Sequence, residues 1–386
     1  MSKNIQIIAI ILSICLGCSS EPEINIKASI SKYNLANEIN EKIGEEHFFQ
    51  DQAMKNINPR LGKALIKQLD SQKIYFTANE ILYFTNKFQS SADDVEIATS
   101  YELINLYFNR LIEATKYQIK IIQKKDFDFS KVENILIDND LQEFRETNLD
   151  LKEIWVKLAK NDVLTSMLTD KTEDEAVELI SKRYKNRLRR ISQRNEEDIF
   201  SMVMNNLTGL FDPHSSYMSP KSAEDFEMTM SLNLEGIGAL LTTEDDYPII
   251  VSVVPGGPAE KSGKINPDDK IVKVRQIQKV EVDSVDVVGW RIDEVVQLIR
   301  GEAGTQLELE IIPAKTEDLS DRKWVLLTRE EVKLEEQAAK FLIVDSAEGE
   351  DNFKIGIIDL PAFYIDFNAW RDKDPDFRSS SKDVED

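Results

Sequence analysis

Apolar residues recur at helical spacing through the first half of the chain. One stripe advances at alternating steps of four and three residues, which places its members on one face of a helix. It comprises Ile97, Tyr101, Ile104, Phe108 and Leu111. No glycine or proline occurs from Lys63 to Thr208, and the stretch is rich in Leu, Ile, Lys and Glu. These residues favour helix, so the sequence predicts an all-helical domain over residues 19–210.

Two helix starts inside this stretch carry capping residues. Thr172 precedes Glu175 by three positions, and Asn195 precedes Asp198 by the same interval. In such pairs each side chain accepts a hydrogen bond from the backbone N–H of the other residue. Helices are therefore predicted to begin directly after Thr172 and Asn195.

The pattern changes after Gly209. Eleven of the 14 glycines and nine of the 11 prolines lie from Gly209 onwards. Short β-branched runs at 249–254, 270–274 and 307–312 alternate with turn residues, and a helical face at 292–299 stops at Gly301. This order predicts a small α+β module over residues 231–330. A further β segment, Lys354 to Leu360, opens a new region over residues 331–386.

Charge and composition exclude several functions. The 386 residues include 70 acidic and 48 basic side chains, which gives a formal charge of -22. A surface that negative repels phosphate backbones and anionic headgroups, so nucleic acid is not expected as a partner. Two cysteines and two histidines are too few for a disulfide framework, a cysteine-rich zinc site or a multi-histidine metal centre.

The first eighteen residues are typical of an export signal. Lys3 precedes an apolar run of about a dozen residues, shorter than the roughly 20 that a transmembrane helix needs. The run ends at Cys18 in Cys-Leu-Gly-Cys, which resembles a bacterial lipoprotein cleavage box. Residues 1–18 are therefore predicted to be a lipoprotein-type signal, with Cys18 as the lipidated residue. The alternative is an ordinary secretory signal.

The segment Gly236-Ile237-Gly238-Ala239 is a candidate anion site. Glycine permits positive φ, so successive N–H groups can converge into a nest that binds a peptide's terminal carboxylate. The alternative is an ordinary bulge or turn. It is not a dinucleotide fingerprint, because strand-like residues follow it instead of a helix.

A second motif makes the carboxylate site more specific. The chain resembles the PDZ domains of bacterial proteases in two consecutive runs, Val254-Pro-Gly-Gly-Pro-Ala-Glu-Lys-Ser-Gly263 and Asn266-Pro-Asp-Asp-Lys-Ile271. The predicted helix at 292–299 follows in the order that this resemblance requires. Val295, Val296 and Ile299 are assigned to that helix at the peptide groove, and which of them face the peptide stays open.

Several further motifs together resemble the tail-specific proteases, also called carboxy-terminal processing peptidases. They are Arg183-Tyr-Lys185, Glu197-Asp-Ile-Phe-Ser201, Asp212-Pro-His214, Ser231 to Ala239, Val288-Gly-Trp-Arg291 and Lys354 to Tyr364. The resemblance identifies a multidomain protein. An all-α N-terminal domain is followed by a linker at 211–230 with the Asp-Pro-His motif, a PDZ domain at 231–330 and the first strand of an α/β protease core at 331–386.

This resemblance implies a periplasmic serine endopeptidase that recognises apolar C-terminal tails of envelope proteins and cleaves with a Ser–Lys dyad. No metal or cofactor is implied. The membrane is expected as a partner only through a lipid anchor at Cys18, in the outer membrane, and a lipoprotein adaptor stays open as a further partner.

In the family the nucleophile and the lysine lie well beyond the strand at Lys354 to Leu360. No catalytic residue is therefore assigned within this chain. Ser381 and Lys382, in a polar stretch expected to start a helix, are not interpreted as the dyad. The 386-residue chain is therefore expected not to hydrolyse peptides. The alternative function is a non-catalytic envelope lipoprotein that binds peptides through the same PDZ domain; a purely structural helical protein leaves the PDZ motifs unexplained.

Overall fold

The computed structural model describes residues 23–48, 56–91, 94–136, 138–277, 284–316, 318, 320–333, 337–345 and 354–385. The chain divides into two compact units, Met1–Tyr217 and Met218–Asp386. Each unit has its own hydrophobic core. The predicted signal and Cys18 lie outside the described residues.

The first unit is helical, as the sequence predicts. Its described helices are α1 (Ile30–Glu46), α2 (Ile57–Leu69), α3 (Ala78–Gln89), α4 (Ile97–Lys124), α5 (Asn148–Met167), α6 (Glu173–Ser192) and α7 (Glu196–Thr208). The capping pairs predicted at Thr172 and Asn195 are both formed, and α6 and α7 begin directly after them. The local helix-start signals are thus confirmed.

The stripe on α4 forms part of the core of the helical unit. Ile97, Tyr101, Ile104 and Phe108 are buried, and Leu111 is partly buried beside them. The same core includes residues of α2, α3 and α7. Burial of one apolar face stabilises these helices beyond their intrinsic propensity.

The second unit combines short strands and short helices. Its helices are α8 (Pro220–Ser231), α9 (Pro258–Ser262), α10 (Ile292–Ile299), α11 (Phe367–Arg371) and α12 (Ser380–Glu385). Its strands are β1 (Asn233–Gly236), β2 (Ala239–Glu244), β3 (Tyr247–Val253), β4 (Lys270–Ile277), β5 (Val285–Asp286), β6 (Gln306–Ile312), β7 (Lys323–Thr328), β8 (Glu330–Lys333), β9 (Lys340–Asp345) and β10 (Lys354–Asp359).

The main sheet is antiparallel in the order β2-β3-β4-β6-β7, with β5 beside β4. Its inner face and α10 enclose a core of Val, Ile and Leu side chains. β1 pairs with β8 in a separate two-stranded ladder, in which Gly236 lies opposite Glu330. This arrangement agrees with the predicted α+β module, and the segment after β1 leads directly into the first residue of β2.

Two elements differ from the sequence-based expectations. The segment 211–230, predicted to be a linker, contains most of α8. The region after residue 330 was expected to supply one strand, whereas β10 pairs with an additional strand, β9, in an antiparallel ribbon whose residues are all exposed. Within the described part of the chain, no helix combines the length and apolarity needed to cross a membrane.

Candidate peptide-binding groove

The segment Gly236 to Ala239 makes a tight turn between β1 and β2. Gly236, Ile237 and Gly238 are buried, and Ala239 is half-buried. Gly238 has a φ of +68°, in the left-handed region that glycine adopts most readily. A Cβ built on Gly238 would lie 3.2 Å from the Cα of Gly257, so a side chain at this position would also crowd the neighbouring backbone.

The carbonyl groups of this turn are directed into the protein. The Ile237 carbonyl accepts a hydrogen bond from the Ala259 N–H at 2.8 Å, and the Gly238 carbonyl accepts one from the Val254 N–H at 2.8 Å. In a trans peptide the C=O and the following N–H point in opposite directions. The Ala239 N–H therefore points away from β3, and the Gly238 N–H points away from α9.

The side of β2 away from β3 carries no other strand among the described residues. Helix α10 packs against β2 instead. The turn amides thus lie at one end of an unpaired strand edge that a helix borders. An extended peptide can add to such an edge, with its terminal carboxylate at the turn.

The three residues assigned to the groove helix have different surroundings. Val295 is 0% exposed and Ile299 is 4% exposed, and both belong to the core. Val296 is half-buried and lies outside that core cluster. Four residues after it comes Arg300, the residue that directly follows α10, and a Cβ built on Gly236 would lie 3.8 Å from the Arg300 Cγ. Val296 is thus the one of the three assigned residues that is outside the core and partly accessible to a ligand.

Helix α8 lies beside the groove helix. Lys221 of α8 pairs with Asp293 at 3.0 Å, and Asp225 of α8 pairs with Arg300. Desolvation raises the pKa of Asp293, but hydrogen bonds from Lys221 and Arg291 outweigh it and hold that pKa below its ordinary value. The two ion pairs bracket α10 near its two ends.

A cleft of about 300 Å³ lies between α8, β1 and the end of α10. Its lining carries both signs of charge, including Glu224, Glu235 and Arg300. The α8 residues are not among those predicted from the sequence to form the groove. The signal that was available is Ser219-Pro220, an N-cap followed by proline at the first helical position, which is typical of a helix start.

The remaining polar motifs have structural roles. The Ser215 hydroxyl and the backbone N–H of His214 each donate a hydrogen bond to the Asp212 carboxylate. The imidazole that contacts Asp212 belongs to His47 and not to His214. The His214 side chain is exposed. Because Ser215 donates to the carboxylate and not to an imidazole, this is not the geometry of an activated nucleophile.

Ser381 and Lys382 also do not form a catalytic pair. Lys382 Nζ donates to the Pro375 carbonyl at 2.6 Å and lies 4.0 Å from the centre of the Phe377 ring. The Ser381 hydroxyl shares a hydrogen bond with that of Ser379. Ser381 and Lys382 both lie in α12, whose formation agrees with the helix start expected there.

Comparisons with known proteins agree with this organisation. Residues 39–221 match the family model of the tail-specific protease N-terminal domain, and residues 226–312 match that of the PDZ domain. The tail-specific protease of Haemophilus influenzae is 31% identical over 380 residues, which are 95% of this chain and 53% of that protein. The carboxy-terminal processing protease CtpA of Bacillus subtilis is 33% identical over 153 residues, 39% of this chain and 31% of that protein.

Among solved structures, the PDZ domain of a carboxy-terminal protease from Vibrio cholerae in complex with a peptide is 45% identical. The match covers 26% of this chain and 99% of that one, with a TM-score of 0.24. The chain spans about half the length of the Haemophilus influenzae protein and less of the Bacillus subtilis one. The matched domains follow the order found in the structure, a helical domain and then a PDZ domain. The protein therefore belongs to the tail-specific protease family, of which it carries the N-terminal domain and the PDZ domain.

Proposed function

We propose that this chain recognises the C-terminal tails of proteins in the groove between β2 and α10. The observation that carries the proposal is the orientation of the peptide planes after Ile237 and Gly238, whose carbonyls bond inwards. Their N–H groups then point outwards and can donate hydrogen bonds to the terminal carboxylate of a tail. Backbone N–H groups that converge in this way favour a negative charge.

The groove favours apolar tails. The tail backbone pairs with the free edge of β2, and its alternate side chains face α10. Val296 and Leu241 are both half-buried apolar residues on the elements that border the groove. Their partial exposure is removed when an apolar side chain lies against them, which contributes binding free energy.

In the whole protein this recognition serves a serine endopeptidase reaction. A Ser–Lys dyad, which the family resemblance places beyond β10, cleaves the captured protein. Its lysine must be desolvated enough to be neutral, so that it can take the proton of the serine hydroxyl. Membership of the tail-specific protease family supports this assignment.

The protein is also assigned to the periplasm, with a lipid anchor at Cys18 in the outer membrane. The support is the Cys-Leu-Gly-Cys box after an apolar run. Cys18→Ala is expected to abolish incorporation of labelled palmitate and to release the protein into the soluble envelope fraction. Palmitate incorporation that survives this substitution would contradict the anchor.

Tail recognition is tested with a fluorescein-labelled peptide ending in Ala-Ala-Ala, in its free-acid and amidated forms. The chain is expected to bind the acid at least about tenfold more tightly, because hydrogen bonds to a charged acceptor are the stronger ones. Val296→Glu is expected to weaken binding of the acid by about tenfold or more. Leu326→Glu is the matched control, since Leu326 is an exposed apolar residue on β7, at the opposite edge of the sheet.

Equal affinities for the two forms would refute the carboxylate site. Equal effects of the two Glu substitutions would refute the position of the groove, because α10 with Val296 borders β2 whereas Leu326 lies on β7, at the opposite edge of the sheet.

A further inference from the structure

A buried arginine lies directly after β7. Arg329 is 4% exposed, and its guanidinium donates four hydrogen bonds to uncharged acceptors. Nε bonds the Ile299 carbonyl at 2.8 Å, and Nη2 bonds the Leu298 carbonyl at 3.1 Å. Nη2 also bonds Gln276 Oε1 at 2.7 Å, and Nη1 bonds Thr305 Oγ1 at 2.9 Å.

The two carbonyl acceptors belong to the last turn of α10. Carbonyl groups at a helix C-terminus have no partner within the helix and lie at the negative end of its dipole. Desolvation lowers the pKa of Arg329, but an arginine stays charged in proteins. Among the described residues, the buried charge is therefore offset by the end of the groove helix and not by a carboxylate.

The chain also approaches the guanidinium closely at the end of α10. Gly301 has a φ of +153°, and a Cβ built there would lie 3.1 Å from Arg329 Nε. Gly301 thus lets the backbone pass directly beside the guanidinium. The last turn of α10 is thus held by Arg329 together with Gln276, whose side-chain N–H donates to the Leu298 carbonyl at 2.6 Å.

The residues after Arg329 support the other side of the groove. Glu330 lies opposite Gly236 in the β1–β8 ladder. Two residues further, the Cγ2 of Val332 would lie 3.4 Å from a Cβ built on Gly238. The segment that carries the Arg329 side chain to α10 thus also carries the support of the glycine turn.

We infer that Arg329 is a positioning residue for carboxylate recognition. It fixes the distance between the last turn of α10 and the turn amides at Gly236 to Ala239, so that a terminal carboxylate and the last side chain of a tail fit together. The inference rests on the proposed function, because it concerns the same groove.

The test compares affinities of the full chain for the acid and amide forms of the peptide ending in Ala-Ala-Ala. Arg329→Met is expected to bring the acid-to-amide preference close to one, and Arg329→Lys to keep part of it, because lysine retains charge and donors. Thr305→Val removes one hydrogen bond with little change in shape, and is expected to lower the preference about threefold. Arg275→Met is the control, since Arg275 contacts Glu308 and Trp324 on the sheet.

The ratio of affinities separates positioning from general stability, because a smaller folded fraction weakens both forms equally. A lower ratio in Arg329→Lys and Thr305→Val, with thermal unfolding and circular dichroism showing folded protein, supports the inference. An unchanged ratio in these two folded variants overturns it while leaving tail recognition intact. Equal binding of acid and amide by the unsubstituted chain overturns both proposals.

Discussion

Gly238 and Gly256 have similar backbone conformations in different surroundings. Their φ values are +68° and +75°. A Cβ on Gly238 would meet Gly257 at 3.2 Å and Val332 at 3.4 Å, whereas a Cβ on Gly256 would meet nothing within 4 Å. The pair therefore separates the effect of backbone conformation from that of crowding.

Both Gly→Ala substitutions are expected to destabilise the PDZ domain, by roughly 1–2 kcal/mol for the left-handed conformation. Gly238→Ala is expected to cost about 1 kcal/mol more through crowding, and to weaken binding of the free-acid peptide. Urea unfolding and fluorescence anisotropy measure the two effects. If Gly256→Ala weakens peptide binding as much as Gly238→Ala, the glycine turn is not the carboxylate site.

Asp212 illustrates a residue whose charge stabilises the helical unit. Its carboxylate accepts hydrogen bonds from the Ser215 hydroxyl, the His47 imidazole and the backbone N–H groups of His214 and Ser215. These hydrogen bonds hold the pKa of Asp212 well below its ordinary value. A carboxyl whose pKa is depressed by folding stabilises the protein fully above its unfolded pKa of about 3.9. The contribution is lost as the pH falls from that value towards the lower pKa of the folded state.

Asp212→Asn is expected to lower the urea midpoint of the helical unit at pH 6, and to have a smaller effect at pH 3. The comparison is best made in a His47→Gln background, because glutamine can still donate a hydrogen bond to Asp212 and carries no charge. When Ser215→Ala is also present, Asp212→Asn is expected to destabilise the helical unit even less, because the Ser215 hydroxyl is the largest cause of the lowered pKa of Asp212. A loss of stability from Asp212→Asn that grows as the pH falls would contradict a lowered pKa of Asp212 in the folded state.

At the scale of elements, α4 holds an extended N-terminal segment through two asparagines. Asn109 bonds the N–H and carbonyl of Ile24 at 2.8 and 2.9 Å, and Asn105 bonds those of Ile26 at 3.0 and 2.8 Å. Four residues of helix and two residues of strand both advance by about 6 Å, so the two periods match. The side-chain amides thus make the hydrogen bonds to the Ile24 and Ile26 backbone that a neighbouring strand would make in a sheet.

Asn109→Asp is expected to release this segment, because the carboxylate cannot donate to the Ile24 carbonyl and is repelled by it. Hydrogen exchange at the Ile24 and Ile26 amides is expected to accelerate on the order of tenfold. Asn161→Asp is the control, an exposed asparagine within α5. Equal exchange in both variants and the unsubstituted chain would show that the amide ladder does not hold the segment.

For the whole molecule, the division into a helical half and a strand-rich half was predictable because its signals are local. The absence of glycine and proline from Lys63 to Thr208 and the 3.6-residue spacing on α4 need no knowledge of distant residues. The glycine turn was predicted for a similar reason, since positive φ restricts the choice of residue.

Other features depend on contacts between distant residues. The acceptors of Arg329 lie 24 to 53 residues away in the sequence, so nothing near Arg329 indicates its role. The strand β9 is a short apolar run whose two faces are both exposed, so it lacks the alternation that marks a half-buried strand. Its pairing with β10 is evident only in three dimensions.

The most direct test of tail recognition follows the turn amides themselves. The full chain, labelled with ¹⁵N-glycine and ¹⁵N-alanine, is titrated with the acid and amide peptides while the resonances of Gly238 and Ala239 are observed. We expect the acid to shift both resonances strongly, and the amide to shift them weakly at equal occupancy, because the carboxylate accepts hydrogen bonds from these N–H groups. Binding of the acid that leaves both resonances unchanged would contradict recognition at this turn.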